Sequence, residues 1–255
     1  MLSRTLPLIL GLLVAIPISA RSATIRVPAD QPTIQAGIDG ASIGDTVLVA
    51  PATYTGPSNK NLDFRAKNIV LRSESGPNAT IIDCEGVGRG FFLAGGLTNA
   101  AVISGVTVIN GNSGAGNEGG GGMIVLGCSP TIVDCNFADN WARSTSNSGG
   151  GGGIAFYSSF SAVSRCSFMR NEAQGDPLPI GGAVAAQSSQ LAVTDCIFSD
   201  NTVMGPGGVG GALCGVFFFK HHGKGLRVHR QSGPHFWRCD RYEHWRIDRG
   251  EYVPK

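Results

Sequence analysis

Charge is scarce in this chain of 255 residues: Asp, Glu, Lys and Arg together make up 15%, and the net charge is only +2. So small an imbalance does not suggest nucleic acid or an acidic membrane surface as the main partner, and none is expected. Aromatic residues are few as well, at 7%. No two cysteines stand at Cys-x-x-Cys spacing, which removes the usual zinc signature. The glycine runs at 119–122 and 149–153 are followed by no Gly-Lys-Ser/Thr, so they are turn glycines rather than phosphate loops. The C-terminal part lacks a series of amphipathic strands that could build a membrane barrel. The one long apolar run, at residues 6–18, is too short and too soon followed by polar sequence to span a membrane.

That run has a different reading. With Arg4 before it and Ser19-Ala20 after it, residues 1–20 have the layout of a secretory signal peptide, with cleavage expected after Ala20. The mature chain is then exported. What it has in abundance is glycine, 38 residues in all, which with few charges and aromatics predicts scarce helices, many tight turns and an all-β fold. Seven cysteines in an exported chain raise disulfides, but the number is odd and their positions have a better explanation.

The chain repeats itself. CNFADN, CSFMRN and CIFSDN, at 135–140, 166–171 and 196–201, share Cys-x-Phe-x-x-Asn at spacings of 31 and 30. Between them GGGM, GGGI, GGAV and GGAL begin at 120, 151, 181 and 210, so a second motif keeps the same period. Within a unit, residues such as Val133, Cys135 and Phe137 alternate along one face of a strand. One such strand cannot bury that face alone. Stacking successive units as parallel strands about 4.8 Å apart gives a continuous interior, with Cys135, Cys166 and Cys196 in one column and Phe137, Phe168 and Phe198 in another. The fold predicted is an all-β parallel β-helix. Asn140, Asn171 and Asn201 then form an amide ladder at a bend.

The register has an electrostatic check. Asp134, Arg165 and Asp195 precede the cysteines, and Asp139, Arg170 and Asp200 precede the asparagines. Sign alternates down both columns, so stacking by one period sets every charge beside its opposite, each such pair contributing about 0.2 to 1 kcal/mol. Near the start, residues 33–39 form a short helix with Ile34 and Ile38 on one face, a lid for the open end of the stack, and residues 46–50 form the first apolar strand. Residues 61–112 supply further, less regular coils.

The repeats, together with the opening PTIQAGIDGASIGDTVLVAPATY, resemble the right-handed parallel β-helix, pectin-lyase-like superfamily. FADN, FMRN and FSDN alternating with GGGI, GGAV and GGAL are similar to the repeats of the polymorphic outer-membrane protein family. The resemblance covers roughly residues 24–215. It implies a secreted or surface-associated protein presenting a long flat face, used in the one family for adhesion and elsewhere in the superfamily for cleaving acidic polysaccharides.

Two functional readings follow. The first is a monomeric, non-catalytic recognition or adhesion module, without a cofactor, whose partner is a polysaccharide or surface glycan. The alternative is a pectate-lyase-like enzyme, which needs carboxylates for Ca²⁺ and a base to remove a proton next to a carboxylate. Asp134, Arg165 and Asp195, or Asp139, Arg170 and Asp200, are the candidate residues, and a solvated structural ion-pair ladder accounts for the same six. The stacked cysteines are of a spacing that permits bridging between coils, and equally suit an unbridged apolar column, which their burial propensity favours. Trp141, just after an Asn bend, either stacks on a sugar face or packs beneath the loop.

Residues 21–215 make up the repeat domain, and residues 216–255 break the pattern. This tail has nine Lys/Arg against four Asp/Glu and all five histidines: His221, His222, His229, His235 and His244. Taken literally, it suggests metal or polyanion binding. A one-base frameshift explains it with fewer assumptions. Codons spanning Leu226-Arg227, Val228-His229 and Gln231-Ser232 can hide Cys, Phe and Asn in one shifted frame, and those spanning residues 236–241 can hide a Ser-Gly-Gly-Ala-Ile motif. The hidden cysteine falls about thirty residues after Cys196, where the next repeat is due.

Overall fold

The computed structural model describes residues 22–114, 119–144, 150–175, 180–215, 219–220 and 227–229. The signal-peptide segment, most of the basic tail and all its histidine side chains lie outside the described residues. The described chain is a parallel β-solenoid, mostly strands, with a single α-helix near its N-terminus.

Four sheets run along the stack. The first has eight strands, from Thr24–Val27 and Thr46–Val49 through Thr131–Val133, Phe160–Ser164 and Gln190–Thr194 to Phe219–Lys220. The second has seven, from Ala52–Tyr54 through Asn136–Ala138, Ser167–Met169 and Ile197–Ser199 to Arg227–His229. The third, of five, runs from Phe91–Ala94 through Ile154–Tyr157 to Leu213–Gly215. The fourth has three, Trp141–Ser144, Glu172–Gly175 and Thr202–Met204. Neighbouring strands in each sheet are parallel and in register, with Phe137 opposite Phe168 and Phe168 opposite Phe198.

The motif columns explain why these residues stack. Phe137, Phe168 and Phe198 are buried, with ring centroids 5.2 and 4.9 Å apart and planes within 8° and 7° of parallel, so the ring spacing follows the strand spacing. Cys135, Cys166 and Cys196 are buried free thiols at the bend between the first and second sheets. Asn140, Asn171 and Asn201 form a fully buried ladder: the Asn140 side-chain nitrogen donates to Asn171 Oδ1 at 2.9 Å, and Asn171 repeats this to Asn201 Oδ1 at 2.9 Å. Each amide also donates to a carbonyl of the preceding coil, at Val108, Phe137 and Phe168. Every buried polar atom of the ladder thereby finds a partner.

The Gly-Gly motifs open the third-sheet strands. Their first members, Gly120, Gly151, Gly181 and Gly210, have φ of 71°, 70°, 61° and 74°, a backbone region open to glycine at no steric cost. A Cβ built on the next residue, Gly152, lies 2.5 Å from the Glu172 nitrogen and oxygen and from the Gly182 oxygen, so backbone from two neighbouring coils excludes a side chain there.

The helix Ile34–Gly40 closes the N-terminal end. Thr33 caps it by accepting the Ala36 N–H, and Ile34 and Ile38 are fully buried against the first strands. Lys67 Nζ satisfies its far end by donating to the carbonyls of Ile38, Asp39 and Ala41 at 2.6, 3.1 and 2.8 Å.

Candidate functional site

The repeat fixes what every inward column must be. Function is therefore sought where an outward position departs from what stacking requires. Two outward features qualify: the charge columns at the sheet corners, and the face around Trp141.

The charge columns sit on the corners themselves. Asp134, Arg165 and Asp195 have φ of 55°, 51° and 52°, and Asp139, Arg170 and Asp200 have 56°, 51° and 54°. Each is a single left-handed residue that turns the chain from one sheet to the next. Asp tolerates this region well, whereas Arg does so at a cost.

In the first column Arg165 grips Asp134 with both arms of its guanidinium, Nε to Oδ1 at 2.6 Å and Nη2 to Oδ2 at 2.8 Å. In the second, Arg170 holds Asp139 in the same way, at 2.7 and 2.6 Å. Asp195 and Asp200 stand one coil further on and act on the two arginines at longer range. The Arg165 hydrogen bonds hold the Asp134 carboxyl below its ordinary range, and the carboxylates in turn push Arg165 and Arg170 up. These shifts run opposite to what proton transfer needs, because a base must give up its charge and an acid must keep its proton near neutral pH. Among the described residues no cluster of His, Cys, Asp and Glu has metal-holding geometry.

The second feature is an open recess of about 310 Å³ lined by Gly86, Asn110, Gly111, Asn112, Asp139 and Trp141. It lies across three coils, where the second sheet turns into the fourth. The backbone of Trp141 pairs with Asn112 below it and with Glu172 above it. The outward column thus reads Asn112, Trp141, Glu172, Thr202, with one large aromatic in a row of polar side chains. The Trp141 indole N–H is buried without a hydrogen-bond partner, and an unmade buried bond costs about 1–3 kcal/mol. Stacking alone would not select that residue. Glu172, half-buried above it, has its carboxyl pushed up by burial.

Asn110 is a corner residue with φ 55°, its amide nitrogen donating to Asp83 Oδ1 at 2.9 Å. Asn112 Oδ1 accepts the Gly114 N–H at 2.9 Å. Sequence reasoning singled out Trp141 and Asp139 but missed Asn110 and Asn112, because their coil lacks the Cys-x-Phe-x-x-Asn motif and so could not be aligned with the others. The usable signal is their distance from Asp139 and Trp141, 29 residues in each case, one coil of the stack.

The family model "Right handed beta helix region" matches residues 67–235, about two thirds of the chain. The chain belongs to the right-handed beta helix family. The match includes the three complete repeats and extends past Gly215 into the segment that carries the strands Phe219–Lys220 and Arg227–His229. No curated protein and no solved structure matches the chain significantly. Membership in this beta helix family fixes the fold and leaves activity to be argued from the surface.

Proposed function

We propose that this right-handed beta helix protein is a non-catalytic recognition or adhesion module that presents its outer faces to a polysaccharide or surface glycan. One observation carries the choice of module over enzyme. In both outward charge columns, the ones a lyase reading would use, the arginine is committed to a two-armed pair with one Asp on an exposed corner. Arg165 and Arg170 are pushed further into their charged forms by those pairs, so neither is a base. A pectate-lyase-like reaction through these columns would therefore lack an arginine base. Resemblance of the repeats to those of the polymorphic outer-membrane protein family supports adhesion, and the predicted signal peptide supports export to the cell surface or beyond.

The test is retention of the full chain on insoluble and immobilised polysaccharides, run beside a Ca²⁺-dependent absorbance assay for unsaturated product on polygalacturonate. Retention without product is the expected result. Turnover of polygalacturonate, lost on replacing Arg165 or Arg170, would return the lyase to first place.

A further inference from the structure

The recess beside Trp141 has a chemistry of its own. Its lining combines one aromatic ring, two side-chain amides, backbone glycines and a single carboxylate, with no cationic side chain among the lining residues. Hydrogen-bonding capacity of both kinds is left over. Asn112 uses its oxygen on Gly114, and its amide nitrogen has no partner among the described residues. Asn110 uses its nitrogen on Asp83 and leaves its oxygen. Asp139 is fixed in position by Arg170 yet keeps acceptor lone pairs beyond the two that the guanidinium takes. A flat ring next to mixed donors and acceptors matches a molecule with one apolar face and hydroxyls that both donate and accept.

Resting on the recognition reading above, we propose that this recess is a subsite for one neutral pyranose ring of a glycan, with Trp141 as the stacking platform and Asn110, Asn112 and Asp139 as hydroxyl partners. The ring is neutral because a uronate carboxylate here would meet Asp139, whose neighbouring cation is already engaged. Like charges brought together in the recess discriminate against the acidic sugar. The site thus selects against acidic polysaccharides. Its location also follows from the coil arrangement. Trp141 opens the fourth sheet, so the ring stands at the edge where three-sided coils give way to four-sided ones.

The experiment is calorimetric titration of the full chain with cello-, manno- and maltohexaose and with the hexamer of galacturonate. At least one neutral hexaose is expected to bind, and Trp141→Ala to weaken it by about tenfold or more. Trp141→Phe keeps the packing, controls for misfolding, and is expected to lose less. Asp139→Asn is expected to admit the galacturonate hexamer. Equal binding by parent and Trp141→Ala, with normal circular dichroism, overturns the subsite and leaves the recognition reading intact. A preference of the parent for galacturonate overturns the neutral-sugar assignment. If no hexaose binds, the subsite falls, and retention on whole polysaccharides then decides whether the broader reading falls with it.

Discussion

Replacing Asn171 by Ala removes the middle rung of the amide ladder. Its Oδ1 accepts from the Asn140 backbone N–H at 3.2 Å and from the Asn140 side chain at 2.9 Å, while its nitrogen donates to Phe137 O and to Asn201 Oδ1, both at 2.9 Å. Alanine leaves two N–H donors of Asn140, one backbone and one side-chain, without partners at a position only 1% exposed, while the Phe137 carbonyl keeps its place in the strand ladder. At about 1–3 kcal/mol for each of the two orphaned donors, with one water relieving part of the loss, the expected cost is about 3 kcal/mol. In a solenoid each coil touches only its neighbours, so the damage is local and a single melting temperature is the wrong measure. Hydrogen exchange is the right one. Protection is expected to fall in the coils that carry Asn140, Asn171 and Asn201 and to persist near the N-terminal helix. Asn136→Ala, which removes an outward amide bonded only to Thr107 Oγ1, is the control and is expected to cost less than about 1 kcal/mol. If Asn171→Ala changes stability by less than about 1 kcal/mol, or lowers protection evenly along the stack, the ladder does not hold the coils together.

Other outcomes follow from the same geometry. Glu172, whose carboxyl burial raises from an ordinary 4.5, binds its proton more tightly folded than unfolded. Its ionisation therefore lowers stability as pH climbs through and above that value, and Glu172→Gln is expected to stabilise the fold at neutral pH and to have no effect well below the ordinary carboxylate range, as read by urea midpoints across pH. Arg165→Gly and Arg165→Ala both lose an exposed ion pair of small worth, so their difference isolates the left-handed corner at φ 51°; the glycine variant is expected to be more stable by about 1 kcal/mol. Gly152→Ala places a methyl against backbone atoms of Glu172 and Gly182 and is expected to abolish soluble expression or cost more than about 3 kcal/mol, whereas exposed Gly127→Ala is tolerated far better. Sequencing the gene is expected to show Cys, Phe and Asn codons one base out of frame over residues 226–232.

Fold and core were legible because in-register parallel stacking makes one sequence period equal one turn of structure. Cys135, Cys166 and Cys196 share a column because each occupies the same point in its coil, and nothing about distant contacts has to be guessed. The N-terminal lid was legible for a local reason, the four-residue spacing of Ile34 and Ile38 after a capping Thr33. Less could be read of the corners. The alternation of Asp134, Arg165 and Asp195 identified them as neighbours, but no propensity marks an arginine as a left-handed residue, so their role as turn residues emerged only from the backbone. The recess was hidden for a third reason. It joins Trp141, in a coil with the full motif, to Gly86 and Asn112 in coils that lack it, and among the described residues the fourth sheet that carries Trp141 has no strand in the earlier coils. Stacking constrains inward columns tightly and outward ones loosely, so the features that could confer specificity are the ones that a period search passes over.

The same reasoning bears on the tail. Arg227–His229 continues the second sheet, with Val228 in backbone register with Phe198, thirty residues on. Counting thirty from Cys196, Asp200 and Asn201 reaches Leu226, Arg230 and Gln231. The frame as written therefore offers an apolar residue, a charge opposite to Asp200 and an amide where the columns want them. The shifted frame offers Cys, Phe and Asn at those same apolar and amide columns. Stacking separates the two. The Phe column is spaced at about one strand separation, and a phenylalanine from the shifted frame would repeat the Phe168–Phe198 step once more. An amide ladder joined by direct side-chain bonds of 2.9 Å is built to the length of Asn, and an asparagine from the shifted frame would repeat that length. By that measure the shifted frame fits the stack better, and protein made from it is expected to protect the amides of residues 197–201 from exchange more strongly than the chain as written. Equal protection in the two proteins would show that Leu226, Val228 and Gln231 extend the stack without help, and the frameshift would then explain nothing that the given sequence does not.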